Sequence, residues 1–319
     1  MSKRHQRSKI RRWLSTPNLL IAGTVLGLIA FGIWVVFKQD DDAGDTSRQA
    51  AIQMPHIHGL SFSSDGKQLI VPAHSGLLVF ENDRWVIPDL PPHDYMGYAG
   101  VDNGFFSSGH PNLGTDLVNP LGLVKSTDGG KTITTLAFEG ESDFHVMAVG
   151  YESHAVYVLN TSPNSQLGIG LYHSQDEGES WQQSRAGGLG SGIIQLGVHP
   201  TETGIVAAAT EQGVFLSTDH GDSFAQVGDA APVTAVTFHP NGETLYFGYK
   251  VLYQYELSDG TIDTLSIPPL IGDDGITYIA LNPVSNEIAL ATFSKNLYRS
   301  KDGGQSWQQI ARQGEGLDL

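Results

Sequence analysis

Ser126-Thr-Asp-Gly-Gly-Lys-Thr-Ile133, Ser174-Gln-Asp-Glu-Gly-Glu-Ser-Trp181, Ser217-Thr-Asp-His-Gly-Asp-Ser-Phe224 and Ser300-Lys-Asp-Gly-Gly-Gln-Ser-Trp307 repeat one phrase, S-x-D-x-G-x-[ST] plus an aromatic or aliphatic residue. The aspartates stand at 128, 176, 219 and 302, so the gaps are 48, 43 and 83, and the last leaves room for one decayed copy. Ser258-Asp-Gly-Thr261 stands where that copy belongs, and Asn82-Asp83-Arg84-Trp85 stands one period before Asp128. Six units of about 43 residues therefore fill Ile52 to Arg312. Within them, short β-rich runs such as Gln68 to Val71, Leu77 to Phe80, Ala155 to Leu159 and Glu243 to Phe247 alternate with Gly, Asn, Asp and Pro clusters, and no long 3.6-residue period appears. Four short strands per unit at this period predict an all-β, six-bladed β-propeller over residues 52–312, with 313–319 as a C-terminal tail. The phrase suits the hairpin between a blade's third and outermost strands. Its Asp accepts N–H bonds within the turn, its Gly takes a positive φ, and its Ser or Thr hydroxyl ties the two arms. That assigns Asp128, Asp176, Asp219 and Asp302 to structure.

The region before the first unit differs in composition. Residues 1–38 hold seven of the 18 Lys and Arg and no acid, which leaves the rest of the 319-residue chain with 11 basic and 34 acidic residues, a net charge of −23. An uncharged run from Asn18 to Phe37 follows six positive charges and, at roughly 1.5 Å per residue, is long enough for a helix to cross a bilayer. It exceeds the apolar core of a cleaved signal peptide and is followed by Lys38, Gln39 and three aspartates. The expectation is a basic cytoplasmic N-terminus at 1–17, a transmembrane signal anchor at 18–37, an acidic stalk at 38–51, and a propeller outside the cytoplasm by the positive-inside rule. The −23 body argues against nucleic acid as a partner. The absence of cysteine excludes disulfides, thiolate metal sites, a Cys nucleophile and a lipid-modified cysteine.

The phrases resemble the Asp-box repeats of bacterial neuraminidases, sortilin-type receptors and plant photosystem II assembly factors. Through His56-Ile-His-Gly-Leu60, Phe106-Ser-Ser-Gly-His-Pro111 and Gly122-Leu-Val-Lys-Ser-Thr-Asp-Gly-Gly-Lys131 the chain also resembles bacterial envelope propellers labelled glycosyl hydrolases. The resemblance implies an Asp-box propeller and leaves the reaction open, because propellers host many functions. A sialidase would need three arginines around a carboxylate. The body has five, Arg48, Arg84, Arg185, Arg299 and Arg312, and none opens an inner strand. Sialidase activity is therefore not expected, and 34 acids make any pair chosen for glycoside hydrolysis uninformative.

The inner strands, which line a propeller's channel, are expected to start at His56-Ile-His-Gly-Leu60, Asp94-Tyr-Met-Gly-Tyr98, Asp143-Phe-His-Val-Met147, Gly192-Ile-Ile-Gln-Leu196, Pro232-Val-Thr-Ala-Val236 and Gly275-Ile-Thr-Tyr-Ile279. If strand alternation holds, His56, Asp94 and Asp143 form one layer and His58, Met96 and His145 the next, all from blades one to three. His110 and Asp116 join them from a loop over Ser107 to Pro120, a candidate lid. The expected ligand-binding residues are His56, Asp94, Met96, His110, Asp116 and Asp143, with His58 and His145 as metal ligands. Imidazole with carboxylate suits Zn, Mn, Fe or Ni, and His58, Met96 and His145 together would suit copper. The competing reading is a set of hydrogen-bonded polar groups in a wet channel. His199 and His239 read as turn residues and His173 and His220 as surface groups; His74 and His154 carry no readable signal. No catalytic residue is assigned. The function expected is a ligand-binding or assembly module recognising an envelope protein, a glycan or a metal-bearing ligand, and the alternative is a hydrolase of envelope or extracellular carbohydrate.

Overall fold

The computed structural model describes residues 52–190, 192–229, 231–317 and 319. The expected anchor at 18–37 and stalk at 38–51 lie outside them, and among the described residues no helix is long and apolar enough to cross a membrane. The described chain is a six-bladed β-propeller of six antiparallel sheets, each formed by strands consecutive in sequence. The innermost strands are Ser61–Phe62, Asp94–Val101, Met147–Val149, Ile193–Val198, Ala235–Phe238 and Ile276–Leu281. Each touches the next, and Ile276–Leu281 touches Ser61–Phe62, so the ring is closed. The second strands Val206–Thr210, Thr244–Gly248 and Ile288–Thr292 are buried along their whole length, because both faces pack between neighbouring blades.

Closure uses both ends of the described chain. The sixth sheet has a fifth strand, Glu315–Gly316, and therefore runs past Arg312, where the sequence placed its limit. The Met54 amide donates to the Gly314 carbonyl at 2.6 Å and the Gly316 amide to the Ile52 carbonyl at 2.9 Å. This edge pairing satisfies backbone groups that an open ring would leave exposed.

All four full phrases fold alike at the third-to-fourth-strand turn. In the first, Ser126 Oγ donates to Asp128 Oδ1 at 2.9 Å, the Gly130 amide donates to Ser126 Oγ at 2.9 Å, and the Thr132 hydroxyl donates to Asp128 Oδ2 at 2.8 Å. The Thr132 amide, at 2.9 Å from Asp128 Oδ1, the Thr132 hydroxyl and the Ser126 hydroxyl hold the Asp128 carboxyl down at about 2. Two successive residues take positive φ, one more than the sequence implied, and in two copies the first is a non-glycine, Glu177 at 56° and His220 at 60°. The phrase aromatics grip the seams between blades: Trp181 packs against Phe138 and Phe144, and Trp307 Nε1 donates to the Ser266 carbonyl at 2.7 Å. The two decayed units keep the hairpin, with Asn82 and Asp83 joining Gly76–Glu81 to Arg84–Val86 and the 257–261 segment joining Leu252–Glu256 to Ile262–Leu265.

Candidate functional site

In an antiparallel blade, the segment entering the inner strand and the turn between the second and third strands share one edge. The phrase turns occupy the opposite edge. On the first edge, called upper here, the topology gathers His56 and His58 before blade one's inner strand and His74 in the turn that follows Leu69–Ala73. It adds Asp94 at the start of Asp94–Val101, His110 at the end of Gly104–His110, and Asp143 and His145 before Met147–Val149.

Two carboxylates organise these imidazoles. Asp94 Oδ2 lies 2.7 Å from His74 Nδ1, and Asp94 Oδ1 lies 3.5 Å from His58 Nε2. Asp143 Oδ2 lies 2.8 Å from His145 Nε2 and 3.2 Å from His110 Nε2. His56 stacks on His58 with ring centroids 6.1 Å apart and meets His74 edge-on at 5.9 Å. The carboxylates are mostly covered, with side chains 12% and 17% exposed, whereas His74 and His145 are 64% and 60% exposed.

Backbone geometry sets these positions. Asp94 and His110 are directly paired across their strands, so their side chains rise on one face. The register then slips between Tyr95 and Tyr98, a bulge that carries Met96 and Gly97. Beside it blade three comes close: a Cβ on Gly97 would sit 2.1 Å from the Phe144 carbonyl oxygen, and the Phe144 amide donates to buried Ser108 Oγ at 2.9 Å. Only glycine at 97 lets the Asp143 segment dock this closely.

The site holds an electrostatic deficit. His58 Nε2, Asp94 Oδ1 and Asp143 Oδ1 are buried and have no hydrogen-bond partner. Burial pushes the His58 imidazole down from its ordinary value, against the pull of Asp94 and with further lowering from His56, His74 and His145. Its hydrogen bond to Asp143 raises His145, and Asp94 adds to that rise, so the two carboxylate groups share one field. Among the described residues, the other half of the channel has no such deficit. There Gln195 Oε1 accepts from the Val236 amide at 2.7 Å and Gln195 Nε2 donates to the Thr277 carbonyl at 3.4 Å, spanning blades four to six.

Ligand atoms of His58, His74 and Asp94 all lie within 4.8 Å of one another, a spacing that could hold a metal ion. Two ligands at about 2.0–2.1 Å from a tetrahedral ion stand roughly 3.3 Å apart, close to the 3.5 Å between the unpartnered His58 Nε2 and Asp94 Oδ1. Two imidazoles and a carboxylate suit a divalent ion of the Zn, Mn, Fe or Ni kind. These three residues offer no thioether, and copper is not indicated.

Contacts run across the sequence-derived layers, His58 to Asp94 and His145 to Asp143. The reason is local: His56, His58, Asp143 and His145 lie outside the inner strands, where strict alternation does not apply, and the bulge interrupts it after Asp94. Asp116 is exposed on its loop and outside the metal-spaced cluster, and the candidate lid is shorter than expected because Gly104–His110 remains strand. His74 was missed, although its place in blade one's second-to-third-strand turn puts it on the edge that carries His56 and His58. His173 is buried, stacked between Tyr157 and His220, and not a surface group. His199 is structural as expected, with Nε2 bonded to the Gly242 carbonyl at 2.8 Å. No described inner strand carries an arginine.

No protein-family model matches the chain, and no curated protein matches it. Among solved structures, a GH74 enzyme of Niastella koreensis superposes with a TM-score of 0.54 at 18% identity over 82% of this chain. The chain spans 46% of that enzyme's length. An ancestral GH74 enzyme gives 0.49 at 14% identity over 82% of this chain and 39% of its own. YCF48 bound to D1 peptide gives 0.47 at 18% identity over 81% of this chain and 83% of its own. At such identities the likeness is one of fold: the chain is a six-bladed β-propeller similar in architecture to the Niastella koreensis GH74 enzyme.

Proposed function

We propose that this chain is a membrane-anchored, extracytoplasmic propeller of the Asp-box kind that holds a divalent metal ion at His58, His74 and Asp94 and serves as a ligand-binding or assembly module of the cell envelope. The reading rests above all on two buried atoms without a hydrogen bond, His58 Nε2 and Asp94 Oδ1, 3.5 Å apart. A buried polar atom left without a hydrogen bond costs about 1–3 kcal/mol, and a metal ion satisfies both at this separation when the His58 proton sits on Nδ1. The exposed His74 leaves a way in for the ion and for whatever the ion holds. The basic residues before 18–37 and the −23 body support the orientation, and the fold likeness to GH74 enzymes makes a glycan the first partner to screen.

Elemental analysis of the purified full chain tests the ion. About one equivalent should accompany the wild type and be lost with His58→Ala. A metal-free chain whose melting temperature ignores added Zn, Mn, Fe and Ni would sink the reading. Surface labelling that places the C-terminus in the cytoplasm would overturn the topology. Turnover of chromogenic glycosides that survives His58→Ala would move the chain to the hydrolase class.

A further inference from the structure

The propeller repeat places a second arrangement beside the first. Asp94 and Asp143 occupy the same position of successive blades, each at or just before the inner strand. His74 immediately follows the second strand of blade one, and His110 ends the second strand of blade two. In both cases the carboxylate of one blade meets the imidazole at the end of the preceding blade's second strand, at 2.7 Å for Asp94 with His74 and 3.2 Å for Asp143 with His110. In both cases one carboxylate oxygen is engaged by imidazole and the other is buried without a partner. The repeat breaks at one place, because Met96 stands where blade one has His58. Blade three's own His145 supplies the second imidazole, 2.8 Å from Asp143.

Hydrogen bonding around His110 shows what this arrangement lacks. His110 Nδ1 lies 2.7 Å from Asn119 Oδ1. That oxygen can only accept, so Nδ1 carries the proton and donates it. In the neutral ring the Nε2 lone pair then faces Asp143 Oδ2 at 3.2 Å, acceptor against acceptor, close to the roughly 3.3 Å between two ligands of one tetrahedral ion. Asn119 plays the part that outer-shell acceptors play for metal-bound histidines, fixing the tautomer and aiming the other nitrogen.

We propose that Asp143, His110 and His145 form a second divalent-cation site, related to the first by one blade of the repeat. It rests on the first site being real, because its logic is the repetition of that site. The nitrogens of His110 and His145 flank one oxygen and are not gathered as closely as the first group. The His145 side chain is 60% exposed and can swing about an ion while Asn119 holds His110, and that rearrangement makes this the weaker site.

The test is metal stoichiometry in the full-length chain, solubilised in detergent and titrated with zinc after removal of bound metal. Wild type should take two equivalents in two phases. Asp143→Asn should lose the weaker phase and keep the stronger, and Asp94→Asn should do the opposite. His110→Gln should weaken the second phase by about 10-fold or more, guarding against a folding defect in Asp143→Asn; melting curves of each metal-free variant check the fold. A single equivalent in wild type that Asp143→Asn leaves intact overturns the second site and spares the first. Loss of all zinc in a folded Asp143→Asn would show one shared ion and also overturn it. No zinc in wild type overturns both.

Discussion

Asp94→Asn should make the metal-free protein no less stable while nearly abolishing its response to metal. In the wild type, Asp94 Oδ2 meets exposed His74 at 2.7 Å, while Asp94 Oδ1 is buried and unpartnered 3.5 Å from the equally unpartnered His58 Nε2. Asparagine has the same shape. With its oxygen toward His74 and its amide toward His58 in the tautomer whose Nε2 is unprotonated, it donates to that nitrogen and removes both unsatisfied atoms. Relief of such atoms is worth about 1–3 kcal/mol and the new neutral bond adds about 1 kcal/mol at most, and the lost charge with exposed His74 offsets about 0–1 kcal/mol. A net gain of about 0–4 kcal/mol follows, which raises the melting midpoint by up to roughly 16 °C in a domain of this size. Metal acts mainly on the wild type. At zinc 100 times the dissociation constant the wild type gains about 2.7 kcal/mol; a variant with about 100-fold weaker affinity gains about 0.4 kcal/mol at the same concentration. Those gains correspond to shifts of roughly 5–11 °C against about 1 °C. The assay is differential scanning calorimetry of the full chain at pH 7.5, in chelator and in zinc. A metal-free Asp94→Asn midpoint several degrees below wild type, or a full zinc-induced shift in the variant, would refute the reasoning.

Gly97→Ala brings a methyl to 2.1 Å from the Phe144 carbonyl oxygen, so the Asp143 segment must retreat; overpacking of this kind costs about 1–3 kcal/mol, visible as a lower calorimetric midpoint. The phrase aspartates titrate at about 2, below their ordinary 3.8, so their stabilisation is complete above about pH 4 and is lost as pH falls through 2. Guanidinium midpoints should drop between pH 4 and 2 in wild type, and substituting all four by Asn should flatten that drop while lowering the plateau above it. Truncation after Arg312 removes the strand that pairs with residues 52–54, and hydrogen exchange should then accelerate at Met54 and in the inner strand of blade one before it does in blades three and four.

The phrase turns were legible in sequence because their chemistry is local: the serine, aspartate, glycine and hydroxyl that make the turn lie within seven consecutive residues. The expected strand over Leu77 to Phe80 and the observed Gly76–Glu81 agree for the same reason, since apolar runs between turn residues have few other ways to be satisfied. The site was half legible. Asp94, His58, Asp143 and His145 follow from counting inner strands, but the pairing of His58 with Asp94 depends on a bulge and on irregular segments to which a period of two does not apply. His74 had no motif around it.

Sequence by itself determined the number of blades, the place of the phrase turns and the half of the channel that carries imidazole and carboxylate, because each is set by a repeat or by residue type. The tertiary structure decided which carboxylate meets which imidazole, which of their atoms are buried without a partner, and how the ring closes through Ile52, Met54, Gly314 and Gly316. Those outcomes depend on contacts between blades and between segments more than 250 residues apart. Such pairings are chosen by the closure of the ring and the close approach at Gly97, and no local pattern in the chain records them.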